Sequence, residues 1–264
     1  MKKLFSIVII ILFSQFQVLN AIAGSDGEVE ISSKKNNNPV VKDCFESINR
    51  GIFAFNQGLD KVIFKPLAIG YRKLPQPIRS GTSNVINNLG NVVTIPNNIL
   101  QGQMKDASMN SLRLIIDSPL GIAGIFDVAS YYGIEKRDKE DYGQTLGTWG
   151  IDEGCYFVLP VLGPTTVRDS IGSLANVVGG DAWYNVTVAN DTQYFNETDY
   201  YFSRLLSGVD FRAKNLESFA SLENTSIDLY ASIRSLYLQD RQRKIMNLDE
   251  ATETMSDDDW DEID

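Results

Sequence analysis

Two groups of carboxylates have the spacing that acid–base chemistry uses. Asp152 lies beside Glu153, and Asp138 lies close to Glu140 and Asp141. Acid–base catalysis near neutral pH needs a carboxyl group whose pKa has been raised by burial or by a neighbouring charge. Both groups stand in polar stretches, so we expect their side chains to be solvated and not catalytic.

Three glycines follow the second group, at positions 143, 147 and 150 around Trp149. Their spacing matches neither the phosphate loop G-x-x-x-x-G-K-[ST] nor the dinucleotide fingerprint G-x-G-x-x-G. The chain also contains no G-x-S-x-G nucleophile elbow. We expect residues 141–150 to form a bend, because glycine allows sharp turns and close packing.

Histidine is absent from the sequence. Its absence excludes Ser-His-Asp and Cys-His catalysis as well as histidine-ligated zinc. The two cysteines, Cys44 and Cys155, are too few for a zinc site. In an oxidising compartment they would pair, and two separate buried thiols are the alternative. We therefore expect no catalytic residue, no metal and no cofactor.

Charge is unevenly distributed along the chain, which has a net charge of −10. Residues 249–264 contain nine Asp or Glu and no Lys or Arg. The remainder is nearly neutral and lacks the clustered basic residues that binding to nucleic acid requires. The composition therefore argues against nucleic acid as a partner.

The N-terminus has the pattern of a secretory signal, with Lys2 and Lys3 before an apolar run and an A-x-A site at its end. An uncleaved anchor is the alternative. The acidic C-terminus lacks an apolar stripe, which is typical of disorder. The predicted segments are a signal peptide at 1–23, a polar linker at 24–42, a helical domain at 43–247 and an acidic disordered tail at 248–264.

Apolar residues recur at helical spacing through most of the domain. Asp43 and Glu46 form a capping-box-like start for the first helix. We expect Pro66 and Pro96 to end or kink helices and Pro77 to begin one, so that the helices are short. Further helices are predicted at 78–89, 105–116, 166–178 with Thr166 as the N-cap, 203–219 and 226–246.

Two apolar segments are too short to cross a bilayer. Residues 120–126 contain glycines that permit close packing, and they form either a buried core hairpin or a segment dipped into lipid. Residues 156–160 form either a short strand or a lipid-facing segment. Residues 181–202 contain seven aromatic side chains, which suits an interfacial belt or the rim of a globular domain.

Short segments, taken in order, carry a resemblance to one bacterial family. Residues 43–50, DCFESINR, resemble the opening D-P-[FL]-E-x-[FI]-N-R of the MlaA family, also called VacJ. Residues 120–129, LGIAGIFDVA, resemble its L-G-x-G-G-x-x-D-x-A segment, and residues 142–150, YGQTLGTWG, resemble F-G-x-T-L-G-x-[WY]-G. Further matches lie at 65–68, 75–84, 100–102, 154–156, 159–160, 163–164 and 167–169. The resemblance extends over about residues 43–245.

The resemblance implies an all-α fold, a ring-like assembly of short amphipathic helices with a central amphipathic channel, seated in the inner leaflet of the outer membrane. It implies non-enzymatic transport, in which phospholipid misplaced in the outer leaflet passes to a soluble periplasmic carrier like MlaC and lipid asymmetry is maintained. Trimeric porins are the implied membrane partners. A scaffold or porin accessory that conducts no lipid is the alternative, and a histidine-free lipid hydrolase is a third hypothesis.

Three departures from the family pattern matter. The lipoprotein cysteine after the signal is absent, so we expect no lipid anchor, and attachment must come from the helices, a retained signal or a porin. Cys44 and Cys155 stand where the family commonly has proline, and two coordinated replacements favour a disulfide between them. The region 180–203 matches weakly, so no channel or partner role is assigned to it.

The candidate residues for the lipid path or channel structure lie in amphipathic segments. They are Asn49, Arg50, Phe55, Asn56, Gly121, Gly124, Phe126, Gln144, Thr145, Trp149, Arg168 and Asp169. Direct contact with lipid and a purely structural role in the ring are both open for all of them. Arg168 could fix a helix start by pairing with Asp169, or it could bind a phosphate headgroup.

Overall fold

The computed structural model describes residues 41–190 and 192–247. The predicted signal peptide at 1–23, the predicted tail at 248–264 and all but the last two residues of the predicted linker at 24–42 lie outside the described residues. The described chain is helical apart from one two-stranded sheet, so the all-α prediction is confirmed. None of its helices combines the length and the apolar character needed to cross a membrane.

The elements are named in chain order. The helices of the described residues are α1 (Glu46–Leu59), α2 (Lys65–Arg72), α3 (Gln76–Leu100), α4 (Met104–Asp117), α5 (Val128–Tyr131), α6 (Tyr142–Thr148), α7 (Val167–Ala175), α8 (Ala182–Tyr184), α9 (Glu197–Lys214), α10 (Leu216–Thr225) and α11 (Leu229–Ile245). Strands β1 (Tyr156–Leu159) and β2 (Gly163–Thr166) pair in antiparallel fashion between α6 and α7. Turns of π-helix occupy Asp60–Phe64, Asn176–Gly180 and Asn185–Ala189.

The capping-box pattern predicts that Asp43 caps helix α1, but in the structure it does not. Phe45 precedes its first turn, and no side chain caps it. Asp43 instead accepts hydrogen bonds from Asn49 Nδ2, at 2.7 Å, and from the Tyr230 hydroxyl of α11. The prediction is wrong because Asp43 bonds across the fold rather than to the helix backbone.

Pro66 and Pro77 lie at the starts of helices, whereas Pro96 does not end its helix. The π-helical turn Asp60–Phe64 joins α1 to α2, so that Pro66 occupies the first turn of α2, where a missing N–H costs little. Pro96 lies inside α3, which runs on to Leu100. An interior proline costs about 3 kcal/mol, and the packing of α3 along α4 outweighs it. Two short helices therefore flank the π-helical turn, with Pro66 at the start of the second, whereas the predicted break at Pro96 is wrong.

The glycine-rich stretch predicted as a bend is the short helix α6. Asp141 caps its first turn by accepting a hydrogen bond from Gln144 N at 2.9 Å, and Gly150, with φ +84°, ends it. A Cβ on Gly143 would lie 2.6 Å from Asp169 Oδ1 of α7. The bend is the wrong prediction because the cap starts a helix and the glycines let α7 pack against its backbone.

Residues 120–126 form a compact turn between α4 and α5. Leu120, Ile122 and Phe126 are 62%, 61% and 59% exposed, so the alternative of a buried core hairpin is wrong. Ile122 and Ala123 adopt positive φ angles of 53° and 56°, which are uncommon for residues with a Cβ and help to direct the apolar side chains outwards.

Near the C-terminus, the predicted helix 203–219 is two helices, α9 and α10. They separate at Asn215, whose side-chain amide donates to Phe211 O at 2.8 Å and thereby bonds the last turn of α9. Asn and Asp side chains compete with the helix backbone for hydrogen bonds, which explains the break. The segment 156–160 begins as strand β1, as one of its two alternatives predicted.

A small apolar core lies where the sheet meets α11. Tyr156 and Val158 of β1 and Tyr230 of α11 are buried there, and Phe53 and Tyr237 pack against them. The Tyr156 ring meets the rings of Tyr230 and Tyr237 edge to face, with centroids 6.2 and 6.1 Å apart. This cluster joins α1, the sheet and α11.

Burial is otherwise the inverse of that in a water-soluble domain. Among the described residues, twenty-one polar or charged side chains are buried, against eight hydrophobic ones, of which four are alanine. Thirty-nine large hydrophobic side chains are exposed. The described chain therefore has a polar interior and an apolar outer surface.

Candidate functional site

An asparagine-rich face of α3 lies in the polar interior. Asn84, Asn87, Asn88 and Asn91 follow one another at spacings of three, one and three, which places them on one side of the helix. Together with α4 and residues 135–140, this face encloses a cavity of about 150 Å³. Every residue that lines the cavity is polar or charged, so its lining suits a polar group.

The lining carries four cations and three carboxylates, which are Arg113, Lys136, Arg137, Lys139, Asp117, Asp127 and Asp138. Lys139 Nζ donates to Asn87 O at 2.9 Å and to Asn91 Oδ1. No carboxylate of the described residues forms an ion pair with Lys139. Burial, with repulsion from Arg113 and Lys136, lowers the pKa of Lys139 to about 8. Lys139 is thus a cation held against neutral oxygens.

The other cations on the wall of this cavity have carboxylate partners. Arg113 Nη2 lies 2.6 Å from Asp127 Oδ1 and 3.8 Å from Asp117 Oδ2, and Lys136 Nζ lies 2.8 Å from Asp127 Oδ2. Burial alone would raise the pKa of Asp127, but hydrogen bonds from Lys136, Ser130 and Arg113 outweigh it and hold that pKa well below its usual range. This cluster fastens the turn 120–126 to α4.

A second cavity, of about 350 Å³, shares Asn84 and Lys136 with the first. Arg79 and Lys214 also line it, and Lys214 Nζ pairs with Asp210 Oδ2 at 2.8 Å. The two cavities therefore adjoin at Asn84 and Lys136.

Glu140 overturns the expectation that the carboxylates at 138–141 are solvated. Its side chain is buried, and burial, with repulsion from Asp141 and Asp138, raises its pKa to about 7, although Gln101 Nε2 donates to it at 2.8 Å. The expectation was wrong because α3 and α6 enclose Glu140, which the sequence around it does not reveal. Glu140 lines neither cavity.

A buried ion network joins α6, α7 and α11. Arg241 donates to the Asp141 carboxylate at 2.6 and 3.0 Å and to the Asp169 carboxylate at 2.8 and 3.0 Å. Arg168 Nε lies 3.2 Å from Asp169 Oδ1, and Arg168 Nη1 lies 3.5 Å from Glu153 Oε1. Of the two alternatives for Arg168, the structure shows pairing with Asp169 at the start of α7, where Arg168 is buried away from both cavities.

Asn49 and Asn56 hold the sheet against α1. Asn49 Nδ2 donates to Tyr156 O at 3.2 Å, and its Oδ1 accepts from Val158 N at 3.0 Å. Asn56 Nδ2 donates to Leu159 O at 2.9 Å. Both side chains therefore replace a neighbouring strand at the edge of β1.

Arg50 and Phe55 lie on the outer surface of α1. Arg50 pairs with Asp228, with its nitrogens 2.7 and 3.2 Å from the carboxylate oxygens, and with Glu46 at 2.7 Å. Its guanidinium also lies 4.5 Å from the centre of the Tyr230 ring. The hydrogen bonds that Arg50 donates to Asp228 and Glu46 raise its pKa. Phe55 is exposed.

In the turn 120–126, two candidate glycines allow close approach. A Cβ on Gly121 would lie 2.3 Å from Phe126 O, within the turn itself. Gly124 has φ +90°, and a Cβ there would lie 2.7 Å from Asn88 Cβ of α3. Gly124 therefore lets the turn pack against the asparagine-rich face, and Gly121 lets the turn close on itself.

The remaining candidates connect α6 to its neighbours. Gln144 Nε2 donates to Lys139 O at 3.2 Å, so it holds the backbone that carries Lys139. Thr145 Oγ1 donates to Asn97 Oδ1 at 2.6 Å, and Trp149 Nε1 donates to Leu100 O at 3.1 Å. Both contacts join α6 to the end of α3.

None of the twelve candidate residues lines either cavity. Sequence reasoning missed the cavity residues themselves, above all Lys139, Arg113 and the asparagines of α3. The spacing of Asn84, Asn87, Asn88 and Asn91 was the signal that would have indicated a polar helix face. Lys139 carried no such signal, because its partners are 48 and 52 residues away in sequence.

Comparison with known proteins gives consistent results. The family model described as "MlaA lipoprotein" matches residues 41–244. An "Intermembrane phospholipid transport system lipoprotein MlaA" of Haemophilus influenzae is 32% identical over 84% of this chain and 87% of the relative. The protein of the same description from Escherichia coli K12 is 31% identical over 75% of this chain and 76% of the relative.

A solved structure is also similar, from work titled "Structural basis for maintenance of bacterial outer membrane lipid asymmetry". The TM-score is 0.65 at 29% identity, over 77% of this chain and 99% of the solved chain. The helical architecture, the order of the sequence motifs and these matches lead to the same result. The chain belongs to the MlaA family.

Proposed function

We propose that this protein transports phospholipid without changing it chemically. In this role it lies on the periplasmic side of the outer membrane, removes phospholipid misplaced in the outer leaflet and passes it to a soluble periplasmic carrier, which maintains lipid asymmetry. The descriptions of the Haemophilus and Escherichia relatives support a role in phospholipid transport.

The inverted burial pattern is the observation that carries the proposal. In hydrocarbon, an apolar outer surface contacts acyl chains, while polar groups must be satisfied inside the protein. The exposed hydrophobic side chains occur on most of the helices. A dimer contact would instead require them to lie in one patch. A protein partly embedded in one leaflet accounts for both the apolar outside and the polar inside.

The turn 120–126 suits insertion into the leaflet. Leu120, Ile122 and Phe126 point outwards, and the buried cluster of Arg113 and Asp127 holds the base of the turn. An amphipathic interfacial element typically enters about 5–10 Å into the boundary between headgroups and acyl chains. The lipid-dipped alternative for this segment is therefore part of the proposal.

The ring-like assembly with a central amphipathic channel also belongs to the proposal. The two adjoining polar cavities would form part of the hydrophilic path for a headgroup, while acyl chains follow apolar surface. A trimeric porin and an MlaC-like carrier are the proposed partners. Exposed apolar helices would attach the chain to the membrane without a lipid anchor.

Purification of the full chain in a phosphate-free detergent, followed by lipid extraction and mass spectrometry, tests the proposal. We expect co-purifying phospholipid and its transfer to a soluble carrier. A protein that neither retains nor transfers phospholipid would instead support the scaffold or porin-accessory alternative. Incubation with phospholipid vesicles should release no fatty acid, and such release would support the hydrolase hypothesis.

A further inference from the structure

We propose that the cavity between α3, α4 and residues 135–140 binds a phosphate group, with Lys139 as its principal cationic ligand. The proposal rests on the proposed function, in which the phosphate belongs to the headgroup of a phospholipid in transit. A free phosphate ion has the same chemistry, and the experiment below distinguishes the two sources.

Lys139 is a cationic side chain that can still bind an anion. An ammonium group has three N–H donors, and Lys139 uses two of them, on Asn87 O and Asn91 Oδ1. Both acceptors are neutral, so they orient the ammonium without neutralising it. One donor and the full positive charge are left for a group in the cavity.

The other cations of the cavity are already neutralised by carboxylates. Arg113 pairs with Asp127 and Asp117, and Lys136 pairs with Asp127. Arg137 lies 3.3 Å from Asp106 and 3.2 Å from Glu135. These ion pairs are structural, because they fasten the turn and the segment 135–140 to α4. Lys139 is therefore the cation of this cavity with charge to offer.

The electrostatic surroundings of Lys139 favour an anion. Burial lowers its pKa most, and repulsion from Arg113 and Lys136 lowers it further. An isolated buried cation is costly, and an anion beside it removes that cost. Asp138 also lines the cavity, and its exposed carboxylate opposes anion binding.

Asn88 adds a second requirement on the ligand. It is only 7% exposed, it lines the cavity, and its Oδ1 has no hydrogen-bond partner, while its Nδ2 donates to Ser118 Oγ at 3.1 Å. Buried polar atoms in proteins are nearly always paired. A ligand that places an O–H or N–H donor beside an anionic oxygen would satisfy both Asn88 and Lys139. Phosphoglycerol and phosphoethanolamine headgroups both have this combination.

The dimensions agree with a headgroup rather than a whole lipid. Pockets for drug-sized ligands measure about 300–1,000 Å³, so 150 Å³ accommodates a phosphate and a few further atoms. The adjoining cavity of about 350 Å³ shares Asn84 and Lys136 and gives the headgroup an entry route. The residues that line the first cavity are all polar or charged, which suits a headgroup better than an acyl chain.

The test measures binding of short-chain lipids to the full chain in a phosphate-free detergent. The ligands are dihexanoyl phosphatidylglycerol, dihexanoyl phosphatidylethanolamine, dihexanoylglycerol, which lacks phosphate, and inorganic phosphate. The variants are Lys139→Gln and Lys139→Arg, with Lys105→Gln as a control that removes an exposed lysine of α4 outside both cavities. Loss of a charged hydrogen bond corresponds to at least about a tenfold change in affinity.

We expect Lys139→Gln to weaken binding of both phospholipids at least about tenfold, Lys139→Arg to retain most of it, and Lys105→Gln to leave it unchanged. Dihexanoylglycerol should bind equally weakly to all. Unchanged phospholipid affinity in Lys139→Gln would overturn the inference while leaving the proposed function intact. If Lys139→Gln weakened the binding of inorganic phosphate but not of the phospholipids, the cavity would be a site for a free phosphate ion, and the assignment to a headgroup would be overturned. Failure of the wild-type chain to bind any phospholipid would overturn the proposed function itself.

A measurement on the wild-type chain avoids any effect of the substitution on folding. In protein with ¹³C-labelled lysine, the Lys139 pKa can be followed by NMR with and without dihexanoyl phosphatidylglycerol. A phosphate beside the ammonium should raise that pKa, since an opposite charge favours the protonated form. An unchanged Lys139 pKa at saturating lipid would contradict the proposal.

Discussion

Arg241→Met should substantially destabilise the fold. The guanidinium makes four hydrogen bonds at 2.6 to 3.0 Å to the carboxylates of Asp141 and Asp169. Burial alone would lower the pKa of Arg241, yet these carboxylates raise it, and Arg241 in turn helps to lower the pKa of Asp169. Methionine fills similar volume but leaves the Asp169 charge with fewer partners.

The expected loss of stability depends on the partners that Asp169 keeps after the substitution. Breaking a buried ion pair costs about 3–5 kcal/mol, because one charge is left uncompensated. Asp169 keeps the Tyr237 hydroxyl at 2.5 Å and Arg168 Nε at 3.2 Å, so we expect the lower end, about 3 kcal/mol. For a chain of this size that corresponds to a melting temperature about 6–12 °C lower.

Thermal unfolding followed by circular dichroism in detergent is the assay. Lys244→Met is the matched control, since Lys244 lies in the same helix and pairs with Asp240 at 2.7 Å on the surface. Such a surface pair contributes about 0.3–0.5 kcal/mol, so the control should melt within about 2 °C of wild type. Equal melting temperatures for Arg241→Met and Lys244→Met would refute the assignment of this network as a tie between α6, α7 and α11.

Three further outcomes are expected. The pKa of Glu140 is raised from 4.5 to about 7, so the buried carboxyl group lowers the stability of the fold as pH rises from 4.5 to 7. In denaturant titrations, Glu140→Gln should be more stable than wild type by about 2 kcal/mol at pH 8 and nearly as stable as wild type at pH 4. A Cβ on Gly172 would lie 2.3 Å from a backbone nitrogen of α6, so Gly172→Ala should lower stability by about 1–3 kcal/mol. Gly51→Ala, whose Cβ would meet open space, should raise stability slightly. A Gly172→Ala variant more stable than Gly51→Ala would contradict the packing of α6 on α7. A disulfide joins Cys44 to Cys155 across 111 residues, so the unreduced protein should take up no alkylating label. Reduction should lower the free energy of unfolding by about 4–5 kcal/mol in the chain-entropy model. Labelling without reductant would contradict the disulfide.

Local signals in the sequence predicted local structure well. The helix predicted at 105–116 is α4, Met104–Asp117, because its apolar spacing and its polar flanks are unambiguous. The predicted cap Thr166 does accept a hydrogen bond, from Asp169 N at 3.2 Å. Both features depend on contacts within a few residues, which a sequence displays directly.

Contacts between distant segments could not be predicted. Asp43 has the spacing of a capping box, but Asn49 and Tyr230 take its oxygens in the folded chain. Lys139 looks like one more solvated charge in a polar run until α3 brings Asn87 and Asn91 to it. The polar character of the α3 face was visible, but its place inside the fold depends on contacts with α4 and residues 135–140, which the sequence does not display.

The proposed function requires this chain to remove phospholipid from the outer leaflet. Deletion of its gene, followed by labelling of phospholipid accessible at the surface of intact cells, tests that claim most directly. We predict more surface phospholipid in the deletion strain and return to the wild-type level when the full chain is restored. An unchanged amount of surface phospholipid after deletion would contradict the account.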